Sequence, residues 1–325
     1  MKHMQTITFT QTGDLNSIQI IHQPLPEPKD NQVQIHVCAA ALSVADFKSF
    51  SEKMERGQVS LASRLLCKPG RPFGGDVSGI ISKVGKRVKS LKVGDAVYAS
   101  IGTYGGCAEY IVADENLVAL KPQNLTFEEA AAIPTAGIVA MAACQKANIR
   151  PQSDVLIYGA SGGVGSFAIQ IAKAMGSKVT AVCSTRNIDA AFANGADEVI
   201  DYRRESISSC ARQYDAILGV NGNQALHTYK SLLKPSGTYV AIGGDQAMAG
   251  LVAPLYAFGS GKQMTFIIYA FTDKRKHLKE LAQLAESGQL KPYIESVCEP
   301  SDVKHLLERI CRNHATGKNI ISMKQ

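Results

Sequence analysis

Asp154–Lys173, "DVLIYGASGGVGSFAIQIAK", is the stretch whose reading decides the fold. Its opening "DVLIY" is a short apolar run bounded by a turn, the pattern of a buried strand. Small residues then crowd together, and Ala160-Ser161-Gly162-Gly163-Val164-Gly165 follows the spacing G-x-G-x-x-G with alanine in the first position. Such a turn needs glycines because the chain bends sharply, the backbone must approach a pyrophosphate, and the helix must pack closely on the strand. Beyond it, Val164, Phe167, Ala168, Ile171, Ala172 and Met175 fall at offsets of 3, 4, 7, 8 and 11 residues, one face of a helix. Strand, glycine turn and helix together describe a dinucleotide-binding unit whose phosphates rest on the N–H groups of the helix start. Ala160, Ser161, Gly162, Gly163 and Val164 are its candidate contacts; a tight turn in an unrelated α/β protein is the plainer alternative.

Outward from this unit the same alternation continues. "KVTAVC", "EVIDY", "DAILGV", "TYVAIG" and "MTFIIY" read as further strands separated by helical segments or turns over residues 150 to 270. Parallel strands need crossovers, and the crossovers become helices on both faces of the sheet, so a doubly wound α/β domain is expected. Upstream, "MQTITFT", "SIQII", "QVQIHVCAAAL", "GGDVSGIISKVG", "DAVYAS" and "GGCAEYIVA" are short β-type runs spaced for a small, partly open barrel. Thr126 and Glu129 match a capping box at the start of a helix that Pro134 breaks or restarts. The tail carries two amphipathic helices, "DKRKHLKELAQLAESG" and "SDVKHLLERICRNHATG", expected to complete the first domain or bridge a cleft.

At 325 residues, 45% hydrophobic and 19% charged, the chain suits two globular domains, and disordered and fibrous classes are excluded. No apolar run reaches the roughly 18 residues of a membrane span, and the opening "MKHMQTITFTQTGD" has no apolar signal core, so a cytoplasmic location is expected. Eight scattered cysteines without a CxxC pair suit reduced thiols and neither a disulfide framework nor a structural zinc site. The formal charge of +7 raises the question of nucleic acid. Its densest run, "SKVGKRVKSLKVGD", has no aromatics and punctuates its charges at hairpin spacing, which reads as a solvated face.

The cofactor follows from a missing acid. In NAD-binding units a carboxylate roughly 20 residues past the turn receives the ribose hydroxyls. Counting 19 from Gly165 reaches Ser184, in "CSTRN". A carboxylate there repels a 2′-phosphate, whereas the Ser184 hydroxyl can donate to it and Arg186 can form charge-assisted bonds with it. Ser184, Thr185 and Arg186 therefore point to NADPH, against a plainer reading of Arg186 as a solvated loop charge. In "EVIDYRRES", Tyr202 can pack near the adenosine phosphate, and Arg203 or Arg204 adds positive potential or is surface charge.

With these blocks in order, the sequence resembles the medium-chain dehydrogenase/reductase superfamily and, within it, the zinc-free quinone oxidoreductase branch. The resemblance is carried by "VSGIISKVGKRVKSLKVGDAVYA", "GGCAEYIVA", "EEAAAIPTAGIVA", "VLIYGASGGVGSFAIQIAK", "CSTRN", "GADEVIDY", "LLKPSGTYVAIGG" and "HATGKNII", almost the whole chain. It implies a Rossmann domain, residues 124–268, inserted in a GroES-like barrel domain made of residues 1–123 and a C-terminal return at 269–325. It also implies a homodimer joined through the nucleotide-domain sheets.

Several positions depart from the zinc-dependent relatives. Where those have Gly-His-Glu, this chain has Gly74-Gly75-Asp76, and "ALSVADFK" has Ser43 where they supply a cysteine before an aspartate. Neither Gly75 nor Ser43 is a useful zinc ligand, so no metal is expected. The segment "SVADFKSF" aligns with an Asn-Pro-x-Asp segment of the family that lines the cleft. It offers Lys48 to stabilise an enolate or bind NADPH and Asp46 to orient it, against a bland reading as surface charges at a helix start. Tyr104 can donate a proton or wall the pocket. "ILGVNGN" puts Gly219 where an acid is common in the family and Asn221 near the nicotinamide, with Gly243, Gly244 and Ile268 implied as further cofactor contacts. The expected activity is NADPH-dependent hydride transfer to a quinone or an α,β-unsaturated carbonyl. The competing readings are a catalytically weak NADPH-binding regulatory or scaffold protein, and RNA binding through the basic face.

Overall fold

The computed structural model describes the chain except for residues 1–2, 12–13, 43–69, 71, 103–104, 210, 221, 223, 244–246, 313–316 and 324–325. Along the chain come strands β1 (His3–Phe9), β2 (Ile18–Pro24), β3 (Gln32–Leu42), β4 (Asp76–Val84), β5 (Ala96–Ser100), β6 (Tyr110–Asp114) and β7 (Val118–Leu120). Helices α1 (Phe127–Ala131) and α2 (Pro134–Lys146) follow. The capping box is formed: Thr126 Oγ1 accepts from Glu129 N at 3.1 Å and Glu129 Oε2 from Thr126 N at 2.9 Å. Pro134 starts the second helix where its missing N–H costs no helical bond.

Alternation then takes over with β8 (Asp154–Tyr158), α3 (Gly163–Ala174), β9 (Lys178–Cys183), α4 (Ile188–Ala193) and β10 (Glu198–Asp201). It continues through β11 (Tyr214–Val220), α5 (Leu226–Ser231), β12 (Leu233–Ile242), α6 (Ala247–Ala257) and β13 (Gln263–Phe266). The tail holds α7 (Lys274–Glu286), β14 (Ile294–Cys298), α8 (Val303–Arg312) and β15 (Lys318–Ser322). No helix among the described residues is long and apolar enough to cross a membrane.

Contacts divide the chain into two units, one of residues 1–135, 274–286 and 291–325, the other of 136–273 and 287–290. In the first, β14, β15, β3, β4, β5 and β7 pair in that order, β6 adds to β3, and β1 pairs with β2. β15 lies antiparallel on β3, with Asn319 opposite Leu42 and Ser322 opposite Ala39, so the end of the chain completes the sheet begun near its start. This is the GroES-like lobe, and its core gathers Phe9, Val33, Ile35, Phe73, Val77, Ile81 and Val97 with Leu306 and Leu307 of α8. Helix α1 packs here too, its Ala131 and the following Ala132 against Ala39, Ala41 and Ile320.

The second unit is a parallel sheet in the order β10-β9-β8-β11-β12-β13. Order reverses between β8 and β11, the position where a Rossmann fold opens its ligand crevice beyond the carboxyl ends of the strands. Phe167, Ala168, Ile171 and Ala172 of α3 are buried as the helical spacing predicts, and Ile169 is buried with them.

Candidate functional site

The turn after β8 is built from backbone proximity. Gly159 takes φ +76°, and a Cβ there would stand 2.1 Å from the Val220 carbonyl oxygen at the end of β11. Only glycine passes so close in a left-handed conformation. The bend thus falls to Gly159, one residue before the alanine that opens the G-x-G-x-x-G reading. Ala160 itself is fully buried and donates its N–H to Val182 O at 3.1 Å. Gly165 closes the packing, since a Cβ on it would lie 2.2 Å from Gly159 O. Gly162 faces open space, with nothing nearer its would-be Cβ than Gly159 O at 3.9 Å, and no side chain caps α3. Ser161, Gly162, Gly163 and Val164 are all half-buried around that uncapped start, whose first-turn N–H groups have no partner within the helix. A pyrophosphate fits this cradle.

At the next strand ends, Ser184 is buried and its Oγ accepts from Asn187 Nδ2 at 3.1 Å, leaving its own proton to give. Arg186 is exposed and makes no ion pair or hydrogen bond through its side chain among the described residues. Thr185 is exposed and donates its hydroxyl to Asp201 Oδ2 at 2.5 Å. Asp201 ends β10 opposite Cys183, so the two loops meet at this edge of the sheet. Its other oxygen accepts from Arg203 N at 3.0 Å, and Arg204 Nε stands 3.4 Å from Oδ2. The Thr185 hydroxyl above all, then the Arg203 N–H and the arginine charges, hold the Asp201 carboxyl below the usual range against a smaller opposing effect of burial. Beside it, burial and the Asp201 charge push the Cys183 thiol up to about 11. Tyr202 is 49% exposed at the same edge.

On the other side of the switch point, Gly243 takes φ +61° just after β12, and Ile268 is 44% exposed just beyond β13. Asn221 and Gly244 lie outside the described residues, as do Asp46, Lys48 and Tyr104. Gly219 shows why it carries no side chain: a Cβ would lie 2.7 Å from the hydroxyl of Tyr239. Tyr239 is fully buried, stacks on Tyr229 with ring centroids 4.6 Å apart, and its hydroxyl has no hydrogen-bond partner among the described residues.

In the first unit, Asp76 is buried at the start of β4 with both carboxylate oxygens partnered. Its Oδ1 accepts from Thr135 N at 3.0 Å and Thr135 Oγ1 at 2.5 Å, and Oδ2 faces Lys318 Nζ at 3.4 Å. Thr135 Oγ1 also lies 2.7 Å from Ser100 Oγ. Gly74, at φ +79°, turns the chain into this strand.

Two family models match the chain. One, the alcohol dehydrogenase GroES-like domain, covers residues 29–123, and the other, described as zinc-binding dehydrogenase, covers 194–321. The chain is 34% identical to the 2-methylene-furan-3-one reductase of Solanum lycopersicum over 98% of its own length and 79% of the relative's. It is 31% identical to a chloroplastic NADPH-dependent alkenal/one oxidoreductase of Arabidopsis thaliana, covering 98% of this chain and 80% of that one. The chain belongs to the medium-chain dehydrogenase/reductase superfamily. A solved structure of the quinone oxidoreductase from Coxiella burnetii agrees, with a TM-score of 0.85 at 27% identity over 99% of this chain and 100% of that one. These relatives place it in the quinone oxidoreductase-like branch.

Within this superfamily three residues gain meaning that sequence reasoning missed. Gly159 stands directly after an apolar strand, a signal that a left-handed turn residue was required. Asp201 ends the apolar run "EVID", and an acid closing such a strand points to the strand tips. Tyr239 had no signal, because only the fold brings it under Gly219.

Proposed function

We propose that this protein is an NADPH-dependent reductase that transfers hydride to a quinone or an α,β-unsaturated carbonyl. The observation that carries the reading is the glycine cradle at Gly159, Gly162 and Gly165 joined to Arg186 one strand away, whose side chain has no partner among the described residues. The uncapped start of α3 receives the pyrophosphate, and Arg186 with the Ser184 hydroxyl receives the 2′-phosphate. When bound, NADPH supplies the hydride. The chain contributes the position of that cofactor and charge stabilisation at the acceptor's carbonyl oxygen, roles assigned to Lys48, with Asp46 orienting it, and to Tyr104 as proton donor or pocket wall.

The reading is zinc-independent. Gly75 has no donor atom, and the neighbouring Asp76 carboxylate is committed to Thr135 and Lys318, so the set does not fit a zinc site. Acceptors that need no Lewis acid, such as quinones and enones, suit that chemistry. NADPH oxidation followed at its absorbance band against a panel of quinones and enones tests the reading. Acceptor-dependent turnover is expected; tight NADPH binding without turnover on any acceptor would favour the scaffold alternative.

Two copies are proposed to join along β13. Among the described residues that strand has one neighbour, β12, and beside it Leu255 and Phe258 are 77% and 90% exposed. An open edge with large apolar side chains is a surface that a second copy covers. Sedimentation should give a dimer that Phe258→Asp dissociates; a monomeric wild type would refute it. A cytoplasmic location, a reducing compartment, is proposed from the unbridged cysteines at 144, 183 and 298, and recovery in an organelle fraction would contradict it.

A further inference from the structure

An acid at the adenosine edge is what rejects a 2′-phosphate, and position 184 lacks one. The fold nevertheless brings one there from the neighbouring strand. Asp201 ends β10 opposite Cys183, the residue immediately before Ser184. Its side chain is 7% exposed and is met by three donors, the Thr185 hydroxyl, the Arg203 N–H and the Arg204 guanidinium. Thr185 gives its single hydroxyl proton to this carboxylate, so its hydroxyl has no proton left for a phosphate. Arg204 faces Asp201, while Arg186 on the opposing loop makes no side-chain ion pair or hydrogen bond among the described residues. The edge therefore divides its groups: exposed cations, Arg186 and Arg203, beside one enclosed acid.

We propose that Asp201 is a masked selectivity acid, and that Thr185 and Arg204 act through it as positioning residues that set the preference for NADPH over NADH. With its oxygens turned onto these partners and its charge offset by the Arg204 guanidinium, the carboxylate neither strongly repels a 2′-phosphate nor accepts from a ribose 2′-hydroxyl. Released, it does both, and each effect moves the preference toward NADH. The inference rests on the NADPH reading above.

Thr185→Val tests it, because it removes one donor without changing any charge. Affinities for NADPH and NADH are measured by fluorescence titration of the full chain, with thermal midpoints recorded alongside. In Thr185→Val the NADPH-to-NADH affinity ratio should fall about five- to tenfold, the scale of one charge acting at a partly exposed site in physiological salt. Thr185→Ser, which keeps the hydroxyl, should retain the wild-type ratio. Asp201→Asn combined with Thr185→Val should return the ratio to within about twofold of the wild type, since the freed group is then neutral. An unchanged ratio in Thr185→Val overturns the inference. So does an equal fall with and without Asp201→Asn, which would mean that Thr185 meets the phosphate itself. A wild type that binds NADH as tightly as NADPH fails differently, because it refutes the cofactor reading before any variant is made.

Discussion

Replacing Gly165 by alanine is expected to weaken NADPH and NADH alike. On the existing backbone the new Cβ would stand 2.2 Å from Gly159 O, 2.7 Å from Ala160 Cα and 2.8 Å from the Ala160 carbonyl carbon. All three are main-chain atoms, so none can swing aside as a side chain would. Ordinary contact begins near 3.4 Å, which obliges the start of α3 to retreat from the turn by about 1.2 Å. The N–H groups offered to the pyrophosphate retreat with it, and a hydrogen bond of about 2.9 Å stretched by that amount is lost. One charge-assisted bond is worth about 1.5–3 kcal/mol, so affinity should drop about 10- to 150-fold. Because the pyrophosphate is common to both dinucleotides, the factor should be the same for each. Overpacking costs about 1–3 kcal/mol of stability as well, and titrations belong well below the unfolding transition. Fluorescence titration with both cofactors reads the effect. A folded variant with unchanged affinities would refute the proposed placement of the pyrophosphate.

Three further outcomes are expected. Arg186→Ala should weaken NADPH about 10- to 150-fold while leaving NADH and the melting temperature nearly unchanged, because the side chain has no partner among the described residues to lose; equal losses for both cofactors in parallel titrations would contradict its role. Gly219→Ala should destabilise the chain by about 1–3 kcal/mol in urea unfolding, as its Cβ meets the buried Tyr239 hydroxyl at 2.7 Å, and adding Tyr239→Phe should recover part of that loss. Burial pushes the thiols of Cys144 and Cys183 up to about 12 and about 11 from an ordinary 9.0. The unfolded chain then gives up these protons first, so stability should decline as pH rises from about 9 toward 11. Urea midpoints that hold or increase between those values would be inconsistent with neutral buried thiols.

The architecture was legible because its signals are local and repeated. "DVLIY" followed by clustered glycines needs no partner to be recognised, and the Thr126–Glu129 box lies within one turn of chain. What stayed hidden depended on register between strands far apart in sequence. Asp201 meets Thr185 only because β10 lies beside β9, and Gly219 is explained only by Tyr239 across the β11–β12 pair. The counting rule that reached Ser184 treats a single strand tip, so it could register the missing acid there and not the enclosed acid contributed by its neighbour. Gly159 was passed over for a related reason: a motif specifies spacing, whereas the sign of φ belongs to the folded turn.

The pairing of β15 with β3 also constrains the order in which the chain can fold. Leu42 must wait for Asn319, its opposite number, until nearly all the intervening residues have been made. The nucleotide unit is contiguous from 136 to 273 apart from a four-residue segment at 287–290, and it can gather its parallel sheet while the tail is still being synthesised. During that interval one edge of β3 presents unpaired N–H and C=O groups beside an unfinished apolar core. The first lobe to emerge is thus the last to close, and the loop-closure entropy of its final strand is reduced if the inserted unit has already compacted and drawn the two ends together.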